Sequence, residues 1–61
     1  MEVKLPKGFL KQVDTAILLG DRWMAHRIWI NDNFLLKKLH YQDEKKWTKI
    51  MDMVDMAKES L

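Results

Sequence analysis

Apolar residues recur three and four apart along most of the chain. That is the period of an amphipathic helix, not the two-residue alternation of a strand. Phe9, Leu10, Val13, Ala16 and Ile17 share one arc of a helix predicted over 9–19, with Lys11, Gln12, Asp14 and Thr15 outside it. Leu18 and Leu19 overflow the arc, which predicts a helix end buried on more than one side. Residues 1–8 read as an extended lead-in. Pro6 disfavours helix at Leu5, and Gly8 weakens any start before Phe9. Gly20 suits the left-handed residue that closes a helix. Asp21 suits the N-cap of the next, so Gly20-Asp21 predicts a tight helix–helix corner.

The stretch Arg22–His40 holds more apolar residues than one helix face can take. Wound as a single helix, it places Met24, Ala25, Ile28, Trp29, Leu35, Leu36 and Leu39 on one broad face. Trp23, Ile30 and Phe34 fall on the opposite side, flanked by Arg27, Lys37 and Lys38. A helix apolar on both sides is normally covered on both sides. Asn31-Asp32-Asn33 interrupts the pattern with three residues whose side chains compete for the backbone. The stretch therefore fits either one helix or two, Arg22–Ile30 and Phe34–His40, with Asp32 or Asn33 capping the second. A break would let each half aim its apolar residues separately.

Asp43 is a good N-cap, and Glu44 in the first turn suits the positive end of the helix dipole. Beyond it Trp47, Ile50, Val54, Ala57 and Leu61 form the cleanest stripe in the chain, widened by Met51 and Met53. Thr48, Asp52, Asp55, Met56 and Glu59 take the other side. Lys49–Asp52 and Asp55–Lys58 are spaced as i,i+3 pairs. No strand-length alternation or hairpin turn signal is present. The expected fold is all-α: a single domain over 1–61, built as a three-helix bundle with helices at 9–19, 22–40 and 43–60. The central helix is continuous or broken at 31–33. Trp29 and Trp47 are expected in the core, and Met56 outside it.

Length changes what that core can do. A chain of 61 residues buries only about 60% of its unfolded surface. It rarely gains more than about 3–5 kcal/mol from one core. A partner or a second copy, a homodimer, is thus a reasonable cover for the second apolar stripe. There is no cysteine, which removes disulfides and thiolate metal sites and fits a cytoplasmic protein. No apolar run is long enough to span a membrane, and the N-terminus lacks a secretory h-region. Net charge is only +2, but it is unevenly spread. Residues 37–49 are basic and residues 50–61 are acidic, a pattern that would favour contact with an acidic surface but is more often a pair of ordinary solvated faces.

Candidate chemistry narrows further. His26 and His40 have no carboxylate or nucleophile at a spacing that makes a general-base constellation, and a domain this small has little room for a pocket of about 300 Å3. No catalytic residue is assigned. No metal-ligand spacing and no glycine-rich phosphate loop occur, so neither a metal nor a cofactor is expected. A helix-turn-helix reading places Gly20 in the turn, Ala16 four positions earlier, Leu19 beneath, and Arg22, His26 and Arg27 toward DNA. Against it, Trp23, Met24, Ile28, Trp29 and Ile30 make that helix too apolar for a groove. Trp23 and Phe34 could instead stack on single-stranded bases, with Arg27 and Lys38 on phosphates.

The leading expectation is a protein–protein interaction module. Tryptophan and arginine are the residues of interface hot spots. Trp23, Arg27, Ile30 and Phe34, with Lys37 and Lys38, form an apolar anchor with a basic rim. Such a chain would act as an inhibitor, adaptor or regulatory subunit by occupying a partner's surface. Short cysteine-free domains of this kind are often encoded by phages or mobile elements.

Overall fold

A computed structural model describes residues 4–61. The described residues form four helices: α1 (Lys7–Leu19), α2 (Arg22–Asn31), α3 (Asn33–Gln42) and α4 (Glu44–Glu59). The all-α class is as expected, but the helix count is four rather than three. Of the extended lead-in, residues 1–3 lie outside the described part, and 4–6 are non-helical.

The first helix starts at Lys7, earlier than the glycine argument predicts. Pro6 is its N-cap, with φ −57° and ψ 138°, and the Pro6 carbonyl accepts the first helical bond from Leu10 N–H at 3.1 Å. Gly8 then sits in the first turn, where its propensity cost is tolerated. At the other end Gly20 adopts φ 66° and ψ 31°. Its N–H donates to Ile17 O at 3.3 Å, and Asp21 N–H donates to Ala16 O at 3.0 Å. This is a Schellman closure. Asp21 also starts α2, its carboxylate accepting from Met24 N–H at 3.0 Å. One short corner thus satisfies two orphan carbonyls of α1 and one orphan N–H of α2.

The central stretch is broken. Asp32 has φ −125° and ψ 36° and serves as the last cap of α2 and the first of α3. Its N–H donates to Ile28 O at 2.7 Å, and its carbonyl accepts from both Leu35 and Leu36 N–H at 3.0 Å. The Asp32 carboxylate makes no capping bond. Asp43, by contrast, caps α4 by accepting from Lys46 N–H at 3.1 Å.

The break has a packing reason. Helix α4 is 16 residues long, about 24 Å, and both α2 and α3 pack against it. A straight helix over 22–42 would be about 31 Å long and would overrun its partner. Bending at Asp32 keeps Leu35, Leu36 and Leu39 of α3 in the same core as Ala25 and Ile28 of α2. Helix α1 adds Phe9, Val13 and Ala16, and α4 adds Ile50 and Val54. Ala57 of α4 is also buried. Leu39, Ile50, Val13 and Val54 are the largest side chains wholly withdrawn from solvent.

Several expected placements change. Leu18 and Leu19 are exposed, not buried, because α1 packs through the 9/13/16 stripe and ends just past them. Leu61 is exposed because α4 ends at Glu59 and the stripe stops with it. Trp29 and Trp47 lie at the edge of the core, only partly buried. Each ring is roofed by a polar group. The Lys58 ammonium lies 3.8 Å from the Trp29 ring centroid, and the His40 ring lies 4.2 Å from that of Trp47. The expected Lys49–Asp52 and Asp55–Lys58 pairs do not form. Among the described residues the ion pair is Lys46–Asp14, at 2.7 Å, joining α4 to α1. Met51 and Met53 are partly buried against the core and Met56 is exposed, as the stripe predicts.

Candidate interaction surface

The break does not relieve the two-sided character of residues 22–40. Trp23, Ile30 and Phe34 remain outside, with 47%, 59% and 61% of their surface exposed. Their position follows from phase. Ala25 and Ile28 turn inward from α2, and Leu35, Leu36 and Leu39 turn inward from α3. Residues half a turn away must face out.

The two helices carry the same outward pattern. Trp23, Arg27 and Ile30 are spaced i, i+4, i+7 on α2, and so are Phe34, Lys38 and Tyr41 on α3. Each triplet is an aromatic residue, a cation, and then a second large residue with apolar surface, all exposed. A cation lies near the leading aromatic in both. The Arg22 guanidinium is 5.7 Å from the Trp23 ring centroid, and the Lys38 ammonium is 5.8 Å from that of Phe34. Both distances are within the roughly 6 Å range of a cation–π contact. Lys37 is exposed, three residues after Phe34.

Of the six residues expected to bind a partner, α2 therefore carries Trp23, Arg27 and Ile30 together. Helix α3 carries Phe34, Lys37 and Lys38, and the Asp32 bend divides the two groups. Tyr41, 88% exposed, escaped the sequence reading. The signal for it was the i+7 relation to Phe34, matching that of Ile30 to Trp23.

The surroundings are shallow. A hollow of about 180 Å3 lies among Asp21, Trp23, Met24 and Arg27. Wider open grooves run along α1. One of about 390 Å3 is lined by Lys7, Leu10, Lys11, Asp14, Thr15 and Leu18. One of about 450 Å3 lies between Ile17, Leu18 and the lysines of the α4 N-terminus. These exceed the room expected of so small a domain, but as grooves open to solvent. Neither histidine lines them.

His26 bears on the helix-turn-helix reading. It is partly buried between two tryptophans, its ring 6.5 Å from Trp23 and 5.8 Å from Trp29 by centroid. Leu19, required beneath the turn, is exposed. Arg22 and Arg27 are exposed, but α2 commits Ala25 and Ile28 to the core and packs against α1 and α4. Among the described residues no helix is long and apolar enough to cross a membrane. Comparison with protein-family models, with curated proteins and with solved structures finds no match for the chain.

Proposed function

We propose that this chain is a small interaction module that binds another protein through the outer faces of α2 and α3. It would serve as an inhibitor, adaptor or regulatory subunit by covering that partner's surface. The observation carrying this reading is the repeated outward pattern of the two helices: exposed Trp23 and Ile30 on α2, and exposed Phe34 and Tyr41 on α3, each pair with an exposed cation four residues after its leading aromatic. Anchors of this kind dominate binding when they enter a partner's pockets, while charged residues around them steer approach and orientation. Arg27, Lys37 and Lys38 fill the second role, and Tyr41 extends the surface along α3.

The test is capture from an extract of the source cells on immobilised protein, wild type against Trp23→Ala/Phe34→Ala. A protein retained by the wild type and released by the variant is the expected result, with the variant as stable as the wild type. Equal retention by both would place the binding surface elsewhere. A stability loss as large as that of Leu39→Ala would instead make the two aromatics part of the fold.

A second reading rests on the cations beside Trp23 and Phe34. Single-stranded nucleic acid could stack on these rings, with Arg27 and Lys38 on phosphates. Binding of that kind weakens steeply with salt. Lys37→Gln/Lys38→Gln would flatten the salt dependence, and nuclease treatment would abolish the capture.

A further inference from the structure

We propose that a second copy of this chain pairs antiparallel with the first through the outer face of α4, a surface separate from the α2/α3 face. The argument starts from the order of charges along that helix. Residues 45, 48, 49, 52, 55, 56 and 59 are all exposed and fall within about 120° of arc. They are arranged about Asp52 with opposite character on the two sides. Lys45 and Glu59 lie seven residues before and after it, Thr48 and Met56 four, Lys49 and Asp55 three.

Within one chain this order is unfavourable. Lys45 and Lys49 are like charges at i,i+4, and so are Asp55 and Glu59; such pairs destabilise a helix. Lys45 in the first turn and Glu59 in the last also oppose the macrodipole, against Asp43 and Glu44 at the start of the helix and Lys58 at its end. Glu44 is the one acid in the first turn.

A second copy, related by a two-fold axis at Asp52, reverses both relations. Lys45 faces Glu59 of the other copy, and Lys49 faces Asp55, each contact occurring twice. The macrodipoles run antiparallel. Met56, 53% exposed, lies opposite Thr48. There a shallow hollow of about 400 Å3 among Glu44, Lys45, Thr48 and Lys49 can receive it. Asp52 meets its own copy on the axis, a local repulsion between the two Lys49 side chains. A contact along a single helix falls below the roughly 1,200 Å2 of a stable interface, so the pair is weak and salt-sensitive.

The test is sedimentation equilibrium of the full chain from tens of micromolar to millimolar, at low and high salt. A monomer–dimer equilibrium that weakens with salt is expected. Asp52→Asn should tighten it several-fold by removing the contact on the axis. Lys45→Glu/Lys49→Asp should be monomeric, and so should Asp55→Lys/Glu59→Lys. An equimolar mixture of these two variants should form heterodimers. Both reversals suit the helix dipole, so α4 should remain intact, as circular dichroism would verify. Met56→Ser weakens pairing several-fold without altering charge. A wild type that stays monomeric at millimolar concentration and low salt overturns the proposal. So does a dimer indifferent to the charge reversals, or one abolished by Trp23→Ala/Phe34→Ala instead.

Discussion

The ammonium of Lys58 lies 3.8 Å from the ring centroid of Trp29. This contact ties the last turn of α4 to the last turn of α2. It gives Lys58 a partner on another helix in place of Asp55 on its own, and it covers a tryptophan that the core leaves partly exposed. A cation–π contact at an exposed site contributes about 0.5–1 kcal/mol. Lys58→Met, which keeps most of the apolar stem, should lower stability by about that amount in urea unfolding. It should also change the tryptophan emission of the folded state. An unchanged midpoint would show that the ammonium contributes nothing beyond its stem.

Three aspartates begin helices, and only two of them bond there. Asp21 accepts from Met24 N–H and Asp43 from Lys46 N–H, whereas Asp32 makes no capping bond. Asp21→Ala and Asp43→Ala should each cost about 1 kcal/mol. Asp32→Ala should cost clearly less, since its carboxylate holds no orphan donor. Chemical denaturation of the three variants side by side checks the order. An Asp32→Ala loss equal to the other two would show that its side chain is needed to hold the bend.

The two glycines should respond in opposite directions. Neither has an atom within 4 Å of where a Cβ would stand, so sterics with neighbours do not decide the outcome. Gly8 lies inside α1, where alanine restricts the unfolded chain and favours the helix. Gly8→Ala should therefore stabilise by about 0.4–1 kcal/mol. Gly20 has φ +66°, and an L-residue pays about 1–2 kcal/mol for that region. Gly20→Ala should lower the thermal midpoint, and Gly20→Asn should lower it less. A Gly20→Ala variant as stable as the wild type would mean that the Schellman corner rearranges freely.

Truncation should separate core from surface. Leu39 and Val54 are essentially absent from solvent. Leu39→Ala should cost about 2–5 kcal/mol, comparable with the whole stability of a domain this small. Ile30→Ala, on the exposed face of α2, should change stability by about 0.5 kcal/mol or less. Amide exchange would distinguish them: Leu39→Ala should lose protection across all four helices, and Ile30→Ala should lose none. Global loss with Ile30→Ala would remove it from the interaction surface and assign it to the fold.

Much of this architecture was legible in the residues alone. The three-and-four spacing determined that the described chain is helical. Gly20 and Asp21 determined the first corner, and Asp43 the start of α4, because caps and turns act over a few residues. The inward face Ala25/Ile28/Leu35/Leu36/Leu39 and the outward Trp23/Ile30/Phe34 were also readable, since phase along a helix depends only on sequence position. Tertiary structure decided the rest. Whether 22–40 ran straight depended on the length of α4 and on keeping Leu36 and Leu39 against it, a condition set by another helix. The exposure of Leu18 and Leu19 depended on which stripe α1 presented to its neighbours. Lys58 meeting Trp29, and Lys46 meeting Asp14, depended on side chains far apart in sequence being brought within reach. Local rules carry no information about such distances, and packing supplies it.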